Sequence, residues 1–275
     1  MTHRFLAQQN FQKVISYPDE EIDLARAALC IAQYEYPDLQ VSPYLDRLDQ
    51  LAATVYDRLP PERYPLRILQ VINQHLYQEE GFRGNTKHYY DPRNSFLNEV
   101  LDRRLGIPIS LALVYMEVAK RLNFPMEGIG MPGHFLIRPQ VDEMDIYVDA
   151  FHRGDILFPQ DCQERLSQIH GQPVTLKPSY LAPLSNSQFL ARMLNNLKAI
   201  YINQNDLAKA LGTIDCILLL FPHWWHERRN RGLILYELED WDAAYEDLSA
   251  YLQANPQAPD AEVLRQLLGK PRPPS

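Results

Sequence analysis

The sequence predicts an α+β protein with a helical N-terminal layer, a mixed helix-and-sheet core and a C-terminal run of helical repeats. Three observations carry this. Apolar residues recur at helical spacing through residues 1–80, a central apolar helix is followed by four short β-rich segments within 81–180, and residues 185–275 repeat themselves with a period of 34.

In the N-terminal layer, "PDEEIDLARAALCIAQYEYPD" puts acidic residues where a helix dipole favours them, ahead of Ile22, Ala25, Ala28, Leu29 and Ala32 at helical spacing. "VSPYLDRLDQLAATVYDRL" offers Ser42 as an N-cap and Pro43 as the first helical residue, followed by the stripe Tyr44, Leu45, Leu48, Leu51 and Val55. "YPLRILQVINQHLYQEEG" reads as one helix that stops at Gly81. Such a layer is scaffold.

From residue 81 the texture changes. "GFRGNTKHYYDPRNS" is a polar, glycine-punctuated loop of a length at which loops tend to be functional or disordered. "SFLNEVLDRRLG" reads as a helix capped by Ser95 and stopped by Gly106, and a further helix covers 108–122. "MEGIGM", "HFLIRP", "DIYVDAF" and "GDILF" then read as strands, and a helix followed by an antiparallel sheet indicates an α+β domain.

In the third part, "LKAIYINQNDLAKALGTIDCILLLFP" aligns with "RGLILYELEDWDAAYEDLSAYLQANP". Pro222 falls on Pro256, Asp206 on Asp240 and Ala210 on Ala244, and the offset, 256 − 222 = 34, is the tetratricopeptide period. Gly232 and the paired alanines are small where helices would approach closely, and "APDAEVLRQLLG" would cap the array. "FPHWWHERR", at the turn into the second repeat, offers aromatics for packing between repeats, and Trp224 and Trp225, if exposed, would also suit anchoring a partner.

Composition narrows the function. The chain has 275 residues, enough for a sizeable core, with 27 Lys+Arg against 35 Asp+Glu and a formal net charge of −8. That balance argues against a broad nucleic-acid or anionic-membrane surface, because both need a positive footprint. Cys30, Cys162 and Cys216 show neither a CxxC pair nor metal-ligand spacing, which suits reduced thiols in the cytoplasm. "MTHRFLAQQNFQKVIS" has no apolar core of signal-peptide length, and the strongest apolar runs fall short of a membrane span. With no glycine-rich phosphate loop or dinucleotide fingerprint, no cofactor is expected. The expectation is a soluble cytoplasmic protein without nucleic-acid or membrane partners.

The middle part carries the candidate chemistry. A nucleophile at a helix N-terminus gains from the positive end of the dipole, a histidine on a neighbouring strand can serve as base, and a carboxylate on the next strand can orient it. Ser110 lies in the first turn of the "GIPISLALVYMEVAKRL" helix, His134 in "PGHFLI" and Asp149 in "YVDAF". His134 and Asp149 also read as a pair that orders a sheet without doing chemistry. His152 follows closely enough to make a His134/Asp149/His152 metal site conceivable, but without further ligand-type spacing no metal is expected.

"NSFLNEVLDRRLGIPISLALVYMEVAKRL", "PGHFLI" and "YVDAF", in that order, resemble the SirB family of transglutaminase-like proteins from about Asn85 to Phe158, and the tail resembles tetratricopeptide repeats. The resemblance implies a papain-like α+β core in which a helix-borne cysteine is followed by a histidine and an aspartate on strands. His134 matches the histidine and Asp149 the aspartate. The cysteine is missing: alignment through "LNFP" places its position at Pro108, whereas chemistry alone points to Ser110. Asn94, Ser95, Asn98, Glu99 and Tyr90, with Pro108, are candidate ligand-lining residues, although capping explains Ser95 and an ion pair with Arg103 explains Glu99 equally well.

The leading expectation is a non-catalytic transglutaminase-like protein that binds a protein or peptide partner through its repeats and its former active cleft. The alternative is a peptide or amide hydrolase, or acyl transferase, using Ser110, His134 and Asp149.

Overall fold

The computed structural model describes residues 2–141 and 144–269. The chain divides after Met193 into two compact units, and the observed architecture is α+β with a helical C-terminal part.

The first unit opens with α1 (Thr2–Val14), α2 (Leu24–Ala32), α3 (Val41–Tyr56) and α4 (Pro65–Asn73). The acidic run expected in the first turn of α2 forms a separate 3-10 turn, Asp19–Glu21, and Asp23 caps the helix by accepting the Arg26 N–H at 2.9 Å. Ser42 is not the N-cap of α3. The helix starts at Val41, and Pro43 fits inside the first turn because the N–H it lacks has no intrahelical partner there. The segment expected to run as one helix to Gly81 widens instead into a π-helical stretch, Gln74–Glu79, in which Glu80 N–H reaches back to His75 O at 2.9 Å. Gly81, at φ +77°, ends it.

Next come β1 (Arg83–Gly84), a 3-10 turn at Pro92–Asn94, α5 (Leu97–Arg103) and β2 (Leu105–Gly106), which pairs parallel to β1. Ser95 does not cap α5. It closes the 3-10 turn, and Phe96 holds the N-cap position. The helix stops at Arg104, which takes left-handed dihedrals (φ 57°), so Gly106 is released to form β2.

The central helix α6 (Pro108–Arg121) is buried from Pro108 to Ala119 and packs against α3, α5 and the sheet. The sheet is antiparallel in the order β3 (Met126–Ile129), β4 (Leu136–Pro139), β5 (Tyr147–Asp149), β6 (Asp155–Leu157). Ile137 lies opposite Val148 in β4–β5, and α7 (Pro159–His170) covers β6 with Cys162 and Leu166 in the sheet's core.

α8 (Asn186–Asn203) begins in the first unit and continues into the second, followed by α9 (Leu207–Leu220), α10 (Trp225–Glu237), α11 (Trp241–Ala254) and α12 (Ala261–Leu268). The 34-residue period is written into the backbone. Asn205 and Glu239 take positive φ (57° and 63°). Asp206 and Asp240 cap the following helices through the N–H groups of Lys209 and Ala243. Phe221 and Asn255 end those helices at φ −133° and −132°. Gly232 lets α10 approach α11 closely, since a Cβ there would lie 2.8 Å from Leu248 Cγ.

Candidate functional site

The site is built on three elements of the first unit: the N-terminus of α6, the turn before β4, and the end of β5. Ile107 enters α6 extended, and Pro108 takes the first helical position, where its missing N–H costs nothing. Ser110 comes two residues later. Its oxygen accepts the Ile107 N–H at 3.0 Å, its proton goes to the Asn94 carbonyl at 2.6 Å, and Ile107 O lies 3.2 Å away. Gly106 makes room for this hydroxyl, because a Cβ there would sit 2.8 Å from Ser110 Oγ. Ser110 has no solvent exposure.

His134 follows a tight turn in which Gly133 has φ +73°. Arg192 of α8 braces the turn by donating to the carbonyls of Gly130 (3.1 Å), Met131 (2.8 Å) and His134 (2.7 Å). His134 Nε2 meets Asp149 Oδ2 at 2.7 Å, so the strand pairing does bring these two together. The Asp149 carboxylate is fully buried. Oδ1 accepts the N–H groups of Phe151 (3.1 Å) and His152 (3.2 Å), while Oδ2 also lies 2.8 Å from His152 Nδ1 and 3.1 Å from Arg165 Nη1. Burial works to raise the Asp149 pKa. The hydrogen bonds and charges of His134 and His152 outweigh it and hold the carboxyl well below the usual carboxylate range.

His134, Asp149 and His152 present ligand atoms within 4.8 Å of one another, the geometry of a possible cation site. Arg165 answers that arrangement with its own charge. Its Nη1 lies 2.6 Å from His152 Nδ1 as well as 3.1 Å from Asp149 Oδ2, so a guanidinium covers two of the three ligand atoms a metal would need.

The structure thus joins His134 to Asp149, whereas Ser110 and Asn94 belong to a different network. Among the described residues no hydrogen bond links Ser110 to His134. The Asn94 side chain is a buried hub, donating to the carbonyls of His88 (2.7 Å) and Tyr89 (3.2 Å) and accepting from Asn85 at 3.0 Å. Ser95 Oγ and Asn98 Oδ1 are buried without a hydrogen-bond partner. Glu99 stands 3.9 Å from Arg103, one helical turn on. Tyr90 is exposed on the 85–91 loop, edge-on to Tyr89, which packs on Phe151 beside the His134 ring.

Arg165 and Arg192 escaped the sequence reading. For Arg165 a signal existed: it lies three residues after buried Cys162 and next to buried Leu166, on the helix face turned to the sheet. Arg192, in a helix rich in buried residues on either side, gave none.

The transglutaminase-like superfamily matches residues 42–195, and a tetratricopeptide repeat match covers residues 197–269. The UPF0162 protein of Xylella fastidiosa (strain 9a5c) is 38% identical over 255 residues, covering 90% of this chain and 89% of the relative. The UPF0162 protein of Vibrio cholerae is 31% identical over 251 residues, covering 90% and 93%. F-box only protein 21 of Homo sapiens is 29% identical over 230 residues, covering 71% of this chain but 36% of that protein. No solved structure matches the chain. The chain belongs to the transglutaminase-like superfamily.

Proposed function

We propose that this transglutaminase-like protein is non-catalytic and acts by binding a protein or peptide partner, through its repeats and the cleft beside His134. The observation that carries this reading is the Ser110 hydroxyl. It is fully buried and committed to backbone groups of Ile107 and Asn94. A serine attacks only when a base takes its proton, and this proton is already given to a carbonyl. Pro108, the other candidate for the nucleophile position, has no nucleophilic atom.

The cysteines support the same conclusion. All three are buried. Burial pushes the Cys30 thiol up to about 11 and the Cys162 thiol up to about 12, so neither forms a thiolate near neutral pH. His134 and Asp149 then serve as a structural tie between the turn before β4 and the end of β5, with Arg165 balancing the buried charge. Within the superfamily, the motif order fits the SirB group. The free thiols suit a reducing compartment, the cytoplasm. No helix among the described residues is long and apolar enough to cross a membrane.

The catalytic half is tested with a serine-directed fluorophosphonate and with iodoacetamide on the native chain, followed by peptide mapping. No adduct at Ser110 and slow alkylation of all three cysteines are expected. A Ser110 adduct that disappears in His134→Ala would revive the hydrolase reading, whose own support is the 2.7 Å His134–Asp149 bond. The binding half is tested with a photo-crosslinking residue at Leu238 or Val263, both exposed in the repeats, with exposed Tyr64 as control. A discrete protein adduct from the repeat positions alone is expected. No adduct above the control would overturn it.

A further inference from the structure

The loop from β1 to α5 walls a cavity of about 740 Å³ whose lining includes neither Ser110 nor His134 nor Asp149. Its size falls within the roughly 300–1,000 Å³ range of small-ligand sites. Four cations line it, Arg83, Lys87, Arg93 and Arg103, against one carboxylate, Asp91. That is a local excess of three positive charges (4 − 1) in a chain with a net charge of −8.

The cations are unequally satisfied. Arg93 is forked onto Asp91, with Nη2 at 2.7 Å and Nε at 3.1 Å. Arg103 Nη2 makes one long hydrogen bond, to Asn94 Oδ1 at 3.5 Å, its approaches to Asp91 (3.7 Å) and Glu99 (3.9 Å) are beyond hydrogen-bond distance, and its Nη1 is buried without an acceptor. Arg83 and Lys87 have no ion pair among the described residues. A buried guanidinium donor left unmade is costly, and its planar fork matches a carboxylate or a phosphate.

The walls are also set in advance. Asn85 accepts the His88 N–H at 3.1 Å and donates to Asn94, which in turn holds the carbonyls of His88 and Tyr89. Ser110 anchors that hub through the Asn94 carbonyl. Tyr89 and Tyr90 stand edge to face with centroids 5.3 Å apart, and Tyr90 is 71% exposed, so both rings offer surface to an apolar body.

We infer that this cavity binds a small ligand in which an oxyanion, carboxylate or phosphomonoester, is joined to an aromatic or apolar body. Arg103, Arg83 and Lys87 hold the anion, and the two tyrosines hold the body. The inference does not depend on whether the chain is catalytic, since probe labelling at Ser110 and anion binding in this cavity are separate readouts.

The test is isothermal titration of the full chain at low salt with three probes: phenyl phosphate, N-acetylphenylalanine and N-acetylphenylalanine amide. At least one anion is expected to bind about tenfold or more tightly than the neutral amide, and to weaken as salt rises. The stronger anion identifies the source as phosphate or carboxylate. Arg103→Gln and Lys87→Gln are each expected to weaken it several-fold, while Lys120→Gln, on α6, leaves it unchanged. If Arg103→Gln fails to fold, the exposed Lys87→Gln decides. Equal binding of acid and amide, no binding of either anion at about 1 mM, or affinity indifferent to Lys87→Gln would overturn the inference.

Discussion

Asp149 receives hydrogen bonds or ionic contacts from His134, His152, Arg165 and two backbone N–H groups, and its pKa is held below the ordinary carboxylate value. The sign of the pH dependence follows. In the unfolded chain the group titrates near its ordinary value, about 3.9. Its contribution is therefore present in full above that pH and is lost as pH falls from there through the lower folded value. Asp149→Asn should flatten this acid limb in urea unfolding followed across pH 2–6, and should cost about 3–5 kcal/mol at neutral pH because Arg165 loses its buried partner. An acid limb identical to the parent's would show that the titration lies elsewhere. At this scale the sequence was partly legible. His134 lies just before β4 and Asp149 at the end of the neighbouring β5, so motif order alone implied their meeting. Ser110 was ambiguous, because a serine in a first helical turn reads equally as nucleophile or as brace. The partner of its hydroxyl, the Asn94 carbonyl, lies 16 residues earlier in the chain.

Among the elements, the repeats were the most legible, since a 34-residue period fixes helices, caps and close approaches together. Gly232 shows how tightly. Its missing Cβ would sit 2.8 Å from Leu248 Cγ and 3.1 Å from Asp247 Cβ, and Leu248 is fully buried. Gly232→Ala gains about 1 kcal/mol of helix propensity but meets overpacking of about 1–3 kcal/mol. A net loss of stability is expected in thermal melts, and a more stable variant would show that α10 and α11 can part to admit the methyl. Helix ends were less legible. Ser42 and Ser95 both looked like N-caps, yet one lies inside a first turn and the other closes a 3-10 turn. Serine is favoured at several positions around a helix start, and long-range packing chooses among them.

For the whole molecule, charge reads differently by region. An acidic chain carries a locally basic cavity, which no average over the sequence reveals, because Arg103 comes from α5 and Arg83, Lys87 and Arg93 from the preceding strand and loop. The loop's conformation was equally hidden, because the Asn85–Asn94–Ser110 hydrogen bonds add to its local turn contacts. Ser110 thus connects the N-terminus of α6 to the shape of the cavity. The most direct test is the thermal unfolding of Ser110→Ala. With the hydroxyl serving as a brace, its removal leaves the Ile107 N–H and the Asn94 carbonyl unpaired, a cost of about 1–3 kcal/mol and a melting temperature lower by several degrees. A variant that melts with the parent, yet loses a fluorophosphonate adduct that the parent forms, would contradict that role and make Ser110 a nucleophile.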